Sequence, residues 1–571
     1  MINLRKSILI ALAFAPMVSC FAEDVQNVKP VKNVIVLIPD GCSIATVSTA
    51  RWYQWYTNPT KEHLALDKYL CGTVRTSCSN APIGDSAPTT SCYMTGYMSR
   101  AGWVSTYPTV DPENDIYPLD KSKEYQPLTT VLEAAKLVQG KATGLVSTCE
   151  FPHATPADCS SHSYDRNKFE WISSQQVHNN IDVLLGGGVN HLSKECENYL
   201  TSNGWGVIKN DIAGMRNYDG NRMWALFHGG SMPYDMDRDK MQTPSLAEMT
   251  SVALNKLSKS KNGFFLMVEG SEVDFAAHNN DPVAMITEFL AFDEACRVAF
   301  EFAEKDGNTA VVVVPDHGNS GLSIGRRDWG GYSTTSKKST FDAITRMHAS
   351  CEEMARKVNS APFDSVQSIF RQWCGFELRD IEMEALKNNR EYRNSPIPRN
   401  ERKRVEGTSY NSGLARMIAQ FMTDRTGLAF TTNGHTGEEV FLAAYHPTRD
   451  CRPYGMLTNV ELNHYLCSLY GMTHETLDSL TSANFAPHQE VLKGMKYEIV
   501  DKQIAEGKTQ QQLVVKLKDS ELVIAPNTNQ VVKRVTNGKV QKEESITIPS
   551  VTVYVDRNKT FYIPRSLKDI K

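Results

Sequence analysis

Three short apolar runs, each followed closely by charged residues, constrain the fold of this sequence most strongly. Residues 34–38, 263–268 and 310–314 are continuous apolar segments of the kind that forms buried parallel strands. The charged residues at their ends are Asp40, Glu269, Asp316 and His317. In open α/β sheets, ligands bind at the carboxyl ends of the strands. Three such placements on one sheet would bring these charged side chains together.

Strand and helix patterns alternate along most of the chain. Helical periodicity at 128–137 and 282–305 separates strand-like runs such as 142–146. This alternation predicts an α/β fold with a central, mostly parallel sheet and helices on both of its faces. A helix-rich stretch at about 325–429 is interpreted as an insertion, because an apolar strand pattern resumes afterwards at 441–445.

The C-terminal part of the chain is β-rich. Short strand patterns at 513–515, 521–524 and 551–555 alternate with turns that contain Asn and Gly. They predict either a small β-domain or an extension at the edge of the main sheet. We therefore expect a catalytic domain over 23–495, which includes the insertion, and a β-rich extension over 496–571.

The N-terminus has the layout of a secretory signal peptide. A basic start precedes an apolar run at 8–18, and small residues follow. Removal of residues 1–22 would accompany export to the periplasm or the extracellular space. Cys20 defines the alternative, a lipoprotein with its lipid anchor at that residue. The apolar run is short for a transmembrane span, and none is expected elsewhere in the chain.

Composition excludes some partners and bounds the role of cysteine. The formal net charge of −4 lacks the basic excess of a nucleic-acid-binding protein, so no nucleic acid partner is expected.

The thirteen cysteines form no CxxC pair, which argues against a zinc ribbon. In an exported chain, Cys71 with Cys78 and Cys451 with Cys467 are candidate disulfides. Cys296 lies in a helical pattern and is predicted to be free and buried.

Carboxylates and histidines recur at spacings that suit metal binding. Asp274 and His278 are four residues apart and would face the same way on a helix. Oxygen and imidazole donors without thiolate suit zinc, with magnesium where only oxygens are offered. The candidate ligands are Asp40, Glu269, Asp274, His278, Asp316, His317 and His435.

Ser86 is the candidate nucleophile. A serine hydroxyl is a poor nucleophile at neutral pH, but a nearby metal ion can lower its pKa. The alternative is that Asp85 or Ser86 only caps a helix predicted over 87–97. The two roles are compatible, because a helix N-terminus also favours an anion.

Taken together, these motifs resemble the alkaline phosphatase family. Asp274 and His278, with Glu269 five residues before Asp274, form an element that is highly specific in combination with the Asp-Ser-Ala around Ser86. The resemblance covers about 33–320 and 430–447. Its segments follow the family's order: 39–41, 85–87, 147–157, 185–188, 264–278, 316–317 and 435–437.

The resemblance implies a phosphomonoesterase that hydrolyses phosphate monoesters through a phosphoserine on Ser86 and releases alcohol and inorganic phosphate. It implies two zinc ions and one magnesium ion, and an arginine, Arg166, that clamps the phosphate. A homodimer is expected by analogy alone. The implied ligands are Asp274, His278 and His435 for the first zinc, Asp40, Asp316 and His317 for the second, and Asp40, Thr155 and Glu269 for the magnesium.

Two residues depart from the family pattern. Phe275 stands where many members carry a Lys or His that contacts phosphate through water. His153 stands where some members have Asp, near the third metal, so zinc is an alternative to magnesium there.

Three other functions compete with the phosphomonoesterase. A sulfatase is disfavoured because Thr90 stands where its motif needs Arg. A phosphodiesterase of the same superfamily would lack the third site, whereas Thr155 and Glu269 supply it here. A non-catalytic metal-binding surface protein is disfavoured by the complete ligand set and by Ser86.

Overall fold

The computed structural model describes residues 28–329, 332, 336–394, 396, 413–505, 507–537 and 540–570. The predicted signal peptide and the alternative anchor at Cys20 lie outside these residues. Among the described residues, no helix is both long enough and apolar enough to cross a bilayer.

Strands and helices alternate through the first two thirds of the described residues, and strands dominate the end. The strands are β1 (Asn33–Pro39), β2 (Leu70–Arg75), β3 (Ala142–Glu150), β4 (Val183–Gly187), β5 (Gly206–Lys209), β6 (Met223–Phe227), β7 (Phe264–Gly270), β8 (Thr309–Val313), β9 (Gly318–Asn319), β10 (Ser323–Ile324), β11 (Leu428–Ala429), β12 (His435–Thr436), β13 (Val440–Tyr445), β14 (Gly455–Thr458), β15 (Ala486–Pro487), β16 (Lys496–Ala505), β17 (Lys508–Lys516), β18 (Ser520–Ile524), β19 (Gln530–Asn537), β20 (Val540–Thr547), β21 (Val553–Val555) and β22 (Thr560–Ile563). The helices are α1 (Ile44–Thr57), α2 (Ser86–Thr95), α3 (Val131–Gln139), α4 (Ala154–Asp158), α5 (Phe169–His178), α6 (Lys194–Ser202), α7 (Ile212–Asn217), α8 (Leu246–Leu257), α9 (Glu272–Asn279), α10 (Ala284–Asp306), α11 (Lys337–Phe341), α12 (Cys351–Ser360), α13 (Val366–Cys374), α14 (Asp380–Asn394), α15 (Leu414–Thr423), α16 (Asn459–Ser468), α17 (His474–Asn484) and α18 (His488–Val491).

The central sheet has ten strands in the order β14-β2-β13-β8-β1-β7-β3-β4-β6-β5. Neighbouring strands are parallel except at β13, which is antiparallel to both β2 and β8. The first strand therefore lies in the middle of the sheet, between β7 and β8. The predicted α/β fold with a mostly parallel sheet is confirmed.

Helices cover both faces of this sheet, and β1 shows why. Ile35 and Leu37 face one apolar core, which α1, α8 and α10 complete. Val34, Val36 and Ile38 face the other, which includes residues of α2, α3 and α16. All five side chains are fully buried, and each contributes roughly 1.5–3 kcal/mol of hydrophobic stabilisation. A strand buried on both faces reads as a continuous apolar run.

Local sequence signals set the helix ends. The Thr130 side chain accepts from the Glu133 backbone N–H, and the Glu133 side chain accepts from the Thr130 N–H, which starts α3 with a capping box. Gly140 ends that helix in the left-handed region at φ 63°.

The C-terminal strands form sheets of their own. β16 to β20 make a five-stranded antiparallel sheet, and β15, β22 and β21 make a three-stranded one. The alternative prediction, an extension of the main sheet, is therefore wrong. The helix-rich character of 325–429 is confirmed by α11 to α15 among its described residues. The domain boundaries remain predictions.

Neither candidate disulfide is present. The Cys71 thiol donates to Leu442 O at 3.5 Å, and the Cys78 thiol donates to Ile83 O at 3.3 Å. The Cys467 thiol donates to the Asn463 side chain at 3.7 Å, which excludes its bond to Cys451. Cys296 is free and fully buried, as predicted.

Candidate active site and metal centre

The carboxyl ends of neighbouring strands meet at one point of the central sheet. β1 and β7 pair with Ile38 opposite Glu269, and Asp40 follows β1 directly. Asp316 and His317 lie just beyond β8, on the other side of β1. The charged side chains that follow the three apolar runs thus lie at one edge of the sheet.

One cluster at this edge consists of Asp40, Asp316 and His317, all fully buried. His317 Nε2 lies 3.4 Å from a carboxylate oxygen of each aspartate. The other ring nitrogen, Nδ1, donates to Gly318 O at 3.1 Å, because a carbonyl can only accept. Nε2 is therefore left facing the two carboxylates, which is the arrangement of a metal-binding histidine.

A second cluster consists of Asp274, His278 and His435. His278 Nε2 lies 3.3 Å from Asp274 Oδ2 and 3.2 Å from His435 Nε2. The Nδ1 atoms of the two histidines donate to Asn433 O at 2.7 Å and to Gly84 O at 2.9 Å. Asp274 and His278 lie on α9, where a spacing of four residues puts them on one face, as expected.

The two clusters adjoin. β12 pairs with β9 in antiparallel register, with His435 opposite Asn319. The rings of His435 and His317 stack with their centroids 3.7 Å apart. His435, a member of the second cluster, is therefore in direct contact with His317 of the first cluster.

Gly41 allows the clusters to approach so closely. Its φ is +60°, and a Cβ there would lie 2.1 Å from Asp274 Oδ1. Its backbone N–H donates to Asp316 Oδ1 at 3.0 Å. Glycine is required at this position both for its backbone conformation and for space.

We expect Gly41→Ala to displace Asp274 and to lower both metal content and enzymatic activity strongly. Gly307→Ala is the matched control, because Gly307 has φ +68° with no atom near its would-be Cβ. Both variants incur a left-handed strain of about 1–2 kcal/mol, but only Gly41→Ala adds the clash. Elemental analysis and an activity assay separate the two effects. Equal behaviour of the two variants would contradict the packing argument.

Ser86 lies between these groups, at the first residue of α2. It is 2% exposed, and its Oγ lies 3.3 Å from Asp40 Oδ2 and 3.3 Å from His317 Nε2. Asp85 occupies the N-cap position but its side chain makes no capping bond, so the capping hypothesis is wrong for that carboxylate. The helix N-terminus contributes partial positive charge beside Ser86.

The Asp85 carboxylate instead holds Arg166. Arg166 Nη1 donates to Asp85 Oδ1 at 2.7 Å, and Gly102 N donates to Asp85 Oδ2 at 3.1 Å. Burial opposes ionisation of Asp85, but the Arg166 charge lowers the pKa of that carboxyl overall. Arg166 Nη2 lies 3.1 Å from His153 Nε2, and the Arg166 side chain is mostly buried. The guanidinium is thus fixed by Asp85, the residue that directly precedes Ser86.

The third group of donor residues contains Glu269, His153 and a residue that the sequence did not single out. Cys149 Sγ lies 3.4 Å from Glu269 Oε2, and Cys149, His153 and Glu269 each offer a donor within 4.8 Å of the others. Thr155 is fully buried, and its Oγ1 has no hydrogen-bond partner. Cys149 thus adds a thiol to a region where the sequence predicts only oxygen and nitrogen donors.

Burial dominates the acid–base state of this region. Burial, followed by repulsion from Asp316 and Asp274, raises the pKa of Asp40 well above its usual range. Burial also raises the pKa of Glu269 to about 8. At Asp274 the burial effect is outweighed by the hydrogen bond with His278, and the pKa lies well below its usual range. Burial, reinforced by the Arg166 charge, lowers the pKa of His153 to about 4.

Divalent metal ions fit these residues. Several buried polar atoms have no hydrogen-bond partner, and cations would compensate them. The three clusters, each with donors within 4.8 Å of one another, offer the carboxylate and imidazole groups that divalent metals bind. The unpartnered atoms are Glu269 Oε1, Asp316 Oδ2, Thr155 Oγ1 and His153 Nδ1.

Fold and site together define the class: an α/β protein with three potential metal-binding clusters grouped near a buried serine. The alkaline phosphatase family profile matches residues 31–472. Alkaline phosphatase 3 of Bacillus subtilis (strain 168) is 32% identical over 456 residues, which are 76% of this chain and 88% of that protein. The chain belongs to the alkaline phosphatase family, and it is a metal-dependent phosphomonoesterase.

Solved structures agree with this assignment. The cold-active alkaline phosphatase of the psychrophile Shewanella sp. superposes with a TM-score of 0.65 at 28% identity, covering 77% of this chain and 99% of that one. The Thermus thermophilus alkaline phosphatase has a TM-score of 0.65 at 26% identity, covering 80% and 96%. The family profile ends at residue 472, before the C-terminal sheets.

Proposed function

We propose that the enzyme hydrolyses phosphate monoesters in two steps through a phosphoserine at Ser86. The observation that carries this proposal is the position of the Ser86 hydroxyl. Ser86 is buried and is the first residue of α2. Its Oγ lies 3.3 Å from Asp40 Oδ2 and 3.3 Å from His317 Nε2. A hydroxyl held beside a carboxylate and an imidazole can be activated by an adjacent base or by a bound metal ion, without a Ser-His-Asp triad.

The proposed roles of the other residues follow from their donor atoms. Zinc would be held by Asp274, His278 and His435, and a second zinc by Asp40, Asp316 and His317. Asp40, Thr155 and Glu269 would hold a third ion, magnesium or zinc. When bound, these ions supply Lewis acidity and charge neutralisation to the phosphate oxygens.

The chain itself positions the reacting groups. Ser86 Oγ lies 3.3 Å from Asp40 Oδ2 and 3.3 Å from His317 Nε2, and either atom can accept a hydrogen bond from the hydroxyl and favour loss of its proton. Ser86 Oγ then bonds to phosphorus while the ester oxygen departs as the alcohol, and water later releases inorganic phosphate. Arg166 presents a planar fork of N–H donors that matches two phosphate oxygens.

We expect Arg166→Ala to lower kcat/KM by about 10- to 100-fold, since a hydrogen bond to a charged group contributes roughly 1.5–3 kcal/mol. Arg166→Lys should recover only part of this, because lysine keeps the charge and loses the fork. Arg51→Ala is the control, since Arg51 forms a similar two-pronged pair with Asp67 away from the site. Steady-state kinetics on an aryl phosphate measure all three. Full activity in Arg166→Ala would contradict the clamp.

Substrate class is tested by comparing three substrates: an aryl phosphate, a bis-aryl phosphate and an aryl sulfate. We expect clear preference for the monoester and loss of turnover with EDTA. Preference for the diester or the sulfate would overturn the assignment.

The Phe275 ring packs against His153, with the two ring centroids 5.7 Å apart. Because its side chain cannot donate a hydrogen bond to phosphate, Arg166 is the main side-chain clamp in this proposal.

Export and a homodimer complete the proposal. Residues 1–22 would direct export to the periplasm or the extracellular space, with an anchor at Cys20 as the alternative. The N-terminal sequence of the mature protein, determined after secretion, distinguishes the two. Light scattering of the purified enzyme measures the oligomeric state.

A further inference from the structure

Cys149 is a buried thiol at the metal centre that the phosphatase chemistry does not use. It lies near the end of β3, where pairing with β4 shifts register between Val146 and Glu150. Pairing of β3 with β7 ends at Ser147, opposite Glu269. An irregular strand end re-aims side chains, and here it places the thiol beside Glu269.

The neighbours of this thiol are arranged as metal donors. The Cys149 backbone N–H donates to Ser271 Oγ at 3.1 Å, which fixes the residue, and its Sγ lies 3.4 Å from Glu269 Oε2. The other oxygen of Glu269 is buried without a partner. His153 Nε2 is taken by Arg166, whereas His153 Nδ1 is buried and unpartnered. Sulfur, nitrogen and oxygen donors thus lie within 4.8 Å of one another.

Donor chemistry then selects the metal. Magnesium takes oxygen ligands in a near-octahedral shell and does not seek sulfur. Zinc accepts Cys, His and carboxylate together in tetrahedral sites. Thr155, two residues after His153 at the start of α4, also has a buried and unpartnered Oγ1.

We propose that Cys149 is a ligand of the third metal ion, together with His153 and Glu269, and that this site takes zinc in preference to magnesium. On binding, the thiol releases its proton to solvent and Sγ donates a lone pair to the metal, with no change in oxidation state. The inference rests on the proposed function only in assuming a third metal at this site.

Cobalt substitution tests the ligand directly. The metal-free enzyme is reloaded with Co²⁺, and the near-ultraviolet spectrum is recorded for wild type, Cys149→Ser and Cys296→Ser. We expect a thiolate-to-cobalt charge-transfer band in wild type and in Cys296→Ser, and its loss in Cys149→Ser. Cys296 is the control because it is equally buried and lies on α10, outside the three clusters.

Metal competition tests the preference. Wild type and Cys149→Ser are dialysed against equal concentrations of zinc and magnesium, and their metal content is measured by elemental analysis. We expect Cys149→Ser to contain one zinc ion fewer and one magnesium ion more per chain than wild type. A wild-type enzyme that binds magnesium at this site and shows no thiolate band would overturn the inference. The wild-type spectrum decides the question even if the variant does not fold. Aryl phosphate hydrolysis by the same samples separates this failure from failure of the proposed function.

Discussion

Ser86→Ala should abolish nearly all turnover, by roughly 10³- to 10⁶-fold in kcat, while metal content stays unchanged. The hydroxyl is the atom that would bond to phosphorus, and the alanine methyl group cannot replace it. The orientation of the three histidine ligands does not require the Ser86 hydroxyl, because the Nδ1 of each ring donates to the backbone carbonyl of another residue. Steady-state kinetics and elemental analysis on the same preparation measure both quantities.

Ser91→Ala is the matched control for this experiment. Ser91 is fully buried on the same helix, and its hydroxyl has no hydrogen-bond partner. Its removal should leave kcat close to wild type. Full activity in Ser86→Ala would show that another group attacks phosphorus.

Removal of the metals should abolish activity and make stability depend on pH in a specific direction. Without cations, burial raises the pKa of Glu269 from its ordinary 4.5 to about 8. A carboxyl whose folded pKa is raised favours the folded state when protonated. The stabilisation is complete below about pH 4.5 and is lost as the pH rises towards 8. Asp40, whose pKa burial also raises, adds a contribution of the same sign.

We therefore expect the melting temperature of the chelated enzyme to fall by several degrees between pH 6.5 and pH 8, a range above the ordinary pKa of histidine in which the lowered pKa of His153 no longer opposes the trend. The metal-loaded enzyme should show a much weaker dependence, because the bound cations compensate the carboxylates. Chelated Glu269→Gln, which cannot ionise there, should have a flatter profile than chelated wild type. A chelated wild-type protein that becomes more stable over this range would refute the argument. Activity should return on addition of zinc and magnesium.

The sequence predicted the strand ends well because apolar runs and acidic residues are local signals. Asp40, Glu269 and Asp316 each follow a run that forms a fully buried strand. Their meeting point depends on strand order, with β1 between β7 and β8, and this order is a long-range property. The sequence pattern makes His435 a candidate ligand, but only the family resemblance groups it with Asp274 and His278.

Other features could not be predicted from local signals. Cys149 was missed because the apolar run of β3 ends at Val146, so the following polar residues resembled a loop. The strand in fact continues to Glu150 with an irregular register. Asp85 resembled a helix cap, and its bond to Arg166 joins residues 81 positions apart. In both cases tertiary contacts decided the role of the side chain.

The most direct test of the account is to trap the phosphorylated enzyme. The wild-type protein is mixed with an aryl phosphate, quenched rapidly in acid, digested and analysed by mass spectrometry. We predict one phosphoryl group on the peptide that contains Ser86, and none in Ser86→Ala. Phosphate on a different residue would contradict the account. The account would also be contradicted if the active wild-type enzyme carried no covalent phosphate and Ser86→Ala were active under the same conditions.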